Sequence, residues 1–157
     1  MERLYGWSTR GERCIASVPH GHWKTSTLVM ALRHDRIGAP LLLDGPMNGP
    51  AFLAYVEQML CPELEKGDVV ICDNLSCHHI QGVREAIEKS GATLRHLPAY
   101  SPDLNPIENA FTKLKAFLRA AAQRTLEGLQ SATAKAIDDF TPDHCIGFFK
   151  HAYYATS

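Results

Sequence analysis

Apolar and polar residues alternate along the chain in a way that predicts strands first, then alternating helices and strands, then helices. Residues 13–19 and 24–33 are rich in strand formers, and the HGHW linker at 20–23 favours a turn between them. Residues 39–45 predict a third strand that ends in a Gly-Pro turn. The pattern therefore indicates an α/β fold, with a mixed sheet covered by helices.

The middle of the chain alternates between helices and strands. Gly49-Pro50 opens a helix whose apolar residues recur at helical spacing. A strand over 68–74, a helix near 80–90 and a strand over 93–98 follow. This order of elements is typical of a sheet that contains parallel strands.

The last third of the sequence is mostly helical. One helix begins at Asn105-Pro106, a second near Thr125, and a third at Thr141, with Pro142 at the first helical position. The first of these helices carries one apolar stripe, formed by Ile107, Phe111, Leu114, Leu118 and Ala121.

Length and composition fit a single domain over residues 1–157. The chain is 45% hydrophobic and 21% charged, which is the range of globular proteins, and no repeat or long linker divides it. A formal charge of -1 leaves no global basic field, so any contact with nucleic acid must come from local patches. No stretch approaches the roughly 20 apolar residues that span a bilayer. We expect no membrane partner and a cytoplasmic location.

The cysteines do not indicate a metal site of their own. There are five, an odd number without a C-x-x-C pair, which favours reduced thiols. Cys72, Cys77, His78 and His79 lie close in sequence, but their spacing matches no standard zinc pattern. A buried thiol with loop histidines is the favoured interpretation over a zinc-binding module.

The segment VVICDN at 69–74 places an acid, Asp73, at the end of an apolar strand. Asp-Asn is ordinary turn chemistry, which is one interpretation. A buried strand is also a rigid support for a catalytic group, which is the other. This segment alone leaves both open.

A proline-rich loop, part of PAYSPDLNPIENAF at 98–111, places a second acid in the first turn of a helix. Asn105 followed by Glu108 resembles a capping box, which is the structural alternative for this acid. At about 100° per residue, Glu108 lies off the apolar stripe, on the side of Lys115 and Arg119. In the functional interpretation, Glu108 binds a metal ion and the two cations bind neighbouring phosphates of a DNA backbone. In the structural interpretation, the two cations belong to a solvated helix face.

Together the two acids resemble a known signature. Asp73 and Glu108 are separated by the 34 residues 74–107, which contain one helix, one strand and the proline-rich loop. The segments CDN and YSPDLNPIEN resemble those of the bacterial insertion-sequence transposases in the Tc/mariner-related DDE superfamily. The segments GWSTRGER, PHGHWKT and DGPMNG also resemble the early strands of that family.

The resemblance implies an RNase H-like fold, with a mixed five-stranded sheet flanked by helices. It implies hydrolysis of DNA at element ends and strand transfer into target DNA, with two Mg²⁺ ions, or Mn²⁺ as substitute, among three acids. Asp73 and Glu108 match two of these acids. His78 follows the first of this pair, where the family often carries a histidine near metals or DNA. Lys115 and Arg119 are the candidate contacts to the DNA backbone.

The sequence departs from the family's pattern at its N-terminus. The family's first catalytic aspartate stands on a first strand that precedes the segment similar to GWSTRGER, and here Met1 lies only six residues before Trp7. We therefore expect the first strand, the first acid and the helix-turn-helix region to be absent from this chain. Asp35 and Asp44 are better interpreted as turn residues than as substitutes.

Two hypotheses about function follow. The first is the catalytic domain of a DNA transposase, which acts on terminal inverted repeats and target DNA as a homodimer or with full-length transposase. The second is a catalytically silent fragment, either an inhibitor that binds DNA or co-assembles with full-length transposase, or a decayed remnant. The resemblance places either one in the bacterial cytoplasm, associated with the nucleoid.

Overall fold

A computed structural model of the chain describes residues 7–13, 15, 25–123 and 125–154. The strand predicted over 13–19 and the turn predicted at 20–23 lie outside the described residues, except for residues 13 and 15. The other predicted elements, apart from residue 24, lie inside the described ranges and can be compared with the structure. Every helix in these ranges is too short or too polar to cross a bilayer.

Within the described residues, four strands form two ladders. Strand β1 (Ser26–Leu32) pairs antiparallel with β2 (Ile37–Asp44), and β3 (Val69–Cys72) pairs parallel with β4 (Thr93–His96). Both kinds of pairing were expected, but in the described part of the chain no ladder joins the two pairs. The sequence pattern predicted one mixed sheet. In the described residues the strands instead form two separate pairs, and β1 and β3 border the same cavity.

Five α-helices accompany the strands in the part of the chain that the structure describes. They are α1 (Gly49–Tyr55), α2 (Val83–Lys89), α3 (Ile107–Ala121), α4 (Leu126–Asp138) and α5 (Pro142–His151). The predicted starts of α4 and α5 are confirmed, since the side chain of Thr125 accepts from Gly128 N–H and that of Thr141 from His144 N–H. Local capping signals thus fix these starts.

Helix α1 does not end at Tyr55 but widens into one π-helical turn, Val56–Leu60, and then a 3₁₀ turn, Cys61–Glu63. The continuous apolar spacing predicts one helix here and does not reveal the change of winding. Pro62 lacks an amide hydrogen, so an α-helix cannot continue through it unbroken.

Helices cover the strands on two sides. Val29 and Ala31 of β1, with Val70 of β3, pack against a core cluster that includes Phe52 and Val56 from the α1 segment. Successive side chains of a strand point to opposite faces, so Met30 and Ile71 lie on the other face. Helix α3 contacts β1 and packs against α4 and α5. The architecture is therefore layered, with helices on both faces of the strands.

Candidate active site

Asp73 directly follows β3, and its carboxylate is held by two neighbours. Its Oδ1 accepts a hydrogen bond from the Leu75 amide at 3.1 Å and lies 2.8 Å from His78 Nδ1. The His78 side chain is only 16% exposed, and its ring packs 4.3 Å from the Phe52 ring centroid. These contacts orient the carboxylate through Oδ1, and within the described residues they leave Oδ2 free to bind a ligand.

A second histidine lies beside the same residue. His96 ends β4, in register with Cys72 of β3, and its Nδ1 lies 3.4 Å from the main-chain carbonyl oxygen of Asp73. Its ring stacks on that of His79, with centroids 4.1 Å apart. The sequence analysis missed His96. The parallel pairing of β3 and β4 could have revealed it. The carboxyl ends of parallel strands lie at the same edge of a sheet, so the residue that ends β4 lies near the residue that follows β3.

Glu108 lies in the first turn of α3 and does not cap it. The N-cap position is Pro106, and no side-chain cap bond is present at this end of the helix. The Glu108 amide donates to the Asn105 main-chain carbonyl at 3.1 Å, so it needs no side-chain partner. The capping-box alternative for Glu108 is therefore wrong. Its side chain is exposed, and no hydrogen bond or ion pair to its carboxylate is found in the described part of the chain.

One cavity of about 960 Å³ is bordered by four of the five predicted site residues, Asp73, His78, Glu108 and Lys115. The Lys115 ammonium also lies 5.9 Å from the centroid of the Phe111 ring. Arg119 is exposed on α3 and does not line this cavity. Arg119 lies about three helical turns beyond Glu108, so it could only meet a distant phosphate.

Neither of the alternative acids lies at this cavity. Asp35 occupies the turn between β1 and β2 and pairs with Arg36 at 2.8 Å. Burial acts to raise the pKa of Asp35, but the charge of Arg36, together with hydrogen bonds to the carboxylate, outweighs it and lowers the pKa. Asp44 is the last residue of β2. The structure gives no support to either residue as a substitute for a third acid.

The donor atoms at the cavity suit a hard divalent cation better than zinc. Burial, with the nearby Asp73 charge, raises the pKa of Cys72 to about 12, so this thiol stays protonated and is a poor zinc ligand. Carboxylate oxygens suit Mg²⁺ or Mn²⁺. Within the described ranges, no three His, Cys, Asp or Glu residues are grouped to hold a metal. Asp73 and Glu108 therefore offer two carboxylates of the right chemistry, and within the described residues no third such ligand is grouped with them.

Comparisons with known proteins identify one matching family and several similar structures. The sequence profile described as DDE superfamily endonuclease matches residues 1–130. The structure is similar to the Mos1 strand transfer complex, with a TM-score of 0.76 and 16% identity over 97% of this chain and 46% of that chain. It is also similar to the Mos1 mariner paired-end complex with Mn, with a TM-score of 0.70 and 17% identity over 97% and 47%. No curated protein sequence matches the chain.

The catalytic domain of Mos1 mariner transposase alone gives a TM-score of 0.60, with 13% identity over 83% of this chain and 74% of that chain. At such identities the similarity shows the fold alone, and it is the RNase H-like α/β fold expected from the sequence. The chain spans about half the length of the Mos1 chains in the two complexes.

Proposed function

Because the chain belongs to the DDE superfamily endonuclease family, we propose that it acts as the catalytic domain of a DNA transposase. The reaction is metal-dependent hydrolysis of phosphodiester bonds at element ends, followed by strand transfer into target DNA. One observation carries the proposal. Asp73 and Glu108, which come from a strand end and a helix start far apart in sequence, border the same cavity.

The chain's own residues have separate roles in this proposal. Asp73 and Glu108 each offer a carboxylate to a divalent cation, and His78 holds Asp73 in place through Oδ1. Lys115 lies at the same cavity and can bind a phosphate next to the one that reacts. Arg119 lies further along α3 and would bind a more distant phosphate. His78, mostly buried against Phe52, acts as a positioning residue more than as a direct DNA contact.

Two divalent cations, when bound, would supply charge stabilisation to the attacking and leaving oxygens. Mg²⁺ is the proposed ion, with Mn²⁺ as substitute, because both prefer oxygen ligands and Mg²⁺ retains several waters. The similar Mos1 complex that is described with Mn supports a divalent ion of this kind for the present fold.

DNA is the proposed partner. The similar structures are described as a Mos1 strand transfer complex and as a Mos1 mariner paired-end complex, which supports a role at element ends. We extend this to terminal inverted repeats and target DNA, bound by a homodimer or by an assembly with full-length transposase. A bacterial, nucleoid-associated setting and a single domain over residues 1–157 belong to the same proposal.

Nicking of supercoiled plasmid in Mg²⁺ or Mn²⁺ tests the proposal. We expect the wild-type chain to nick, and Asp73→Asn and Glu108→Gln to fall to the rate of plasmid without protein while keeping their circular dichroism and melting temperature. Glu127→Gln is the matched control, because Glu127 is also an exposed acid in a first helical turn. Nicking that survives in both acid variants would contradict the assignment.

A catalytically silent fragment is the second candidate. It is favoured by the absence, within the described residues, of a third acid grouped with Asp73 and Glu108. A folded chain of this kind would bind DNA without nicking it, and would slow a full-length transposase when the two are mixed. Metal-dependent nicking by the wild-type chain excludes this candidate.

A further inference from the structure

The proline-rich loop, residues 98–106, leads from β4 to the first turn of α3, where Glu108 lies. Its three prolines each fix one backbone angle, and Asn105, directly before the last of them, is extended with φ −104° and ψ 99°. The Leu104 amide donates to the Ser101 carbonyl at 3.2 Å, within the same loop. The loop is therefore stiff, and a displacement of one of its residues moves its neighbours as well.

The first turn of α3 depends on this loop for its position. No side chain caps the helix, and the Glu108 carboxylate has no partner in the residues that the structure describes. The Glu108 amide donates to the Asn105 carbonyl of the loop at 3.1 Å. A contact that holds the loop therefore also holds the backbone that carries the Glu108 side chain.

One such contact comes from the far end of α5. The Tyr154 hydroxyl donates to the Leu104 main-chain carbonyl at 3.1 Å, across 50 residues of sequence, and the bond is partly buried. In the described part of the chain, it is the one side-chain hydrogen bond that reaches the loop from another element. Because a half-buried carbonyl needs a donor, the Leu104 carbonyl favours this position of the loop.

The end of α5 directs Tyr154 toward the loop. The Tyr153 amide donates to the Lys150 carbonyl at 3.1 Å and the Tyr154 amide donates to the Phe149 carbonyl at 3.0 Å, which are the two bonds of a Schellman motif. Tyr153 has φ +65°, in the left-handed region where glycine is usual and a bulky residue is uncommon. The Tyr154 ring meets the Phe149 ring edge-on, with centroids 5.8 Å apart. The turn and the ring contact together orient the hydroxyl.

The start of α5 is held against α3 by separate contacts. The Lys113 ammonium of α3 lies 3.1 Å from Asp139 Oδ2 and donates to His144 Nδ1 at 2.9 Å. Cys145, in the first turns of α5, is completely buried. Because α5 is fixed at its start, a bond from its other end can hold the loop in place relative to α3.

We propose that Tyr154 is a positioning residue for Glu108. Its hydroxyl holds the proline-rich loop against α5 through the Leu104 carbonyl, and the stiff loop fixes the first turn of α3. Tyr154 touches neither the metal nor the DNA in this proposal. The inference rests on the proposed function, because it takes Glu108 as a metal ligand. The alternative is a bond that stabilises only the end of α5.

NMR relaxation on the full chain tests whether the hydroxyl holds the loop. Tyr154→Phe removes the hydroxyl and keeps the ring that packs on Phe149, so the chain should fold. We expect amide order parameters of about 0.85 at Leu104 and Asn105 in the wild type, and values below about 0.6 in the variant. Tyr153→Phe is the matched control, because it removes the same group from the neighbouring side chain, which is 83% exposed. It should leave both order parameters unchanged.

Mn²⁺ binding, followed by electron paramagnetic resonance, separates positioning from stability. At a temperature where both proteins are folded, Tyr154→Phe should weaken Mn²⁺ binding about 10-fold, the smallest loss typical of groups that hold a metal ligand in place. In a Glu108→Gln background the same change should cause no further loss, because Tyr154 acts through Glu108. In plasmid nicking, kcat should fall about 10-fold while KM for DNA stays the same. Tyr153→Phe should change none of these values.

Three outcomes would overturn the inference. They are unchanged order parameters in Tyr154→Phe, Mn²⁺ binding by this variant equal to that of the wild type, and a further loss of binding in the Glu108→Gln background. Failure of the wild-type chain to bind Mn²⁺ would instead overturn the proposed function. The order parameters need no metal, so they would still decide whether Tyr154 holds the loop.

Discussion

Replacing Arg33 with methionine removes the contact that holds the two ladders together across the cavity. Arg33 Nη1 donates to Asp68 Oδ2 at 2.7 Å and Nη2 donates to Asp68 Oδ1 at 3.2 Å, a two-pronged pair. The side chains are 20% and 25% exposed, so water screens them only partly. Methionine keeps most of the apolar stem and removes both donors.

The expected loss is about 2 kcal/mol in the free energy of unfolding. A hydrogen bond to a charged group contributes about 1.5–3 kcal/mol. The lower part of that range applies to the pair as a whole, because water can reach Asp68 in the variant and Asp68 Oδ2 keeps its bond from the Glu65 amide at 2.9 Å. For a chain of this size, such a loss lowers the melting temperature by roughly 4–8 °C.

The loss also depends on pH in a defined direction. The bond from Arg33 lowers the pKa of Asp68 below its ordinary value of 3.8. The stabilisation is therefore complete above pH 3.8 and disappears as the pH falls through the lowered pKa of the folded state. The difference between wild type and Arg33→Met should be constant near neutrality and should shrink in acid.

Urea unfolding from pH 7 down to pH 3 measures this difference. Arg36→Met is the control, because the Arg36–Asp35 pair is equally short, at 2.8 Å, but 49% and 39% exposed. Exposed pairs contribute about 0–1 kcal/mol. Equal losses in the free energy of unfolding for the two variants would refute the claim that the Arg33–Asp68 pair stabilises the fold more than an exposed pair does. An Arg33→Met effect that stays the same size in acid would refute its assignment to the Asp68 carboxylate.

Three smaller predictions concern the core, a helix end and a thiol. Leu114→Ala should cost about 3 kcal/mol in urea unfolding because Leu114 is 2% exposed, and a loss under 1 kcal/mol would contradict its burial. Thr141→Ala should cost about 1 kcal/mol by removing the acceptor for the His144 amide, while Thr141→Ser should cost little; equal losses would argue against the cap. Cys72, with its pKa raised to about 12, should react with iodoacetamide at pH 8 on the order of 1000-fold more slowly in the folded chain than in urea, and similar rates would contradict the raised pKa.

Local signals were enough to predict much of the fold. Thr125 and Thr141 marked helix starts because a cap depends on residues within one turn. The same signal failed at Glu108, where the Asn105 carbonyl already accepts from the amide that a cap would need to satisfy. Sequence spacing does not show whether the Glu108 amide donates to the main-chain carbonyl or to the side chain of Asn105.

Pairings between distant segments were beyond the sequence pattern. Arg33 and Asp68 are 35 residues apart, and His96 approaches the carbonyl of Asp73 across 23 residues. Each contact depends on how two strands are placed side by side, which periodicity within one strand does not specify. The meeting of Asp73 and Glu108 at one cavity was expected only through the resemblance to a known family. Their roles as metal ligands remain predictions.

Binding of Mn²⁺, followed by electron paramagnetic resonance on the full chain, tests those roles most directly, because it requires neither cleavage nor DNA. The account predicts that Asp73→Asn and Glu108→Gln each weaken Mn²⁺ binding at least about 10-fold, a loss as large as that from removing a metal's outer partners. Glu127→Gln should leave it unchanged. Equal Mn²⁺ binding by all four proteins would contradict the central claim that these two acids hold the metal.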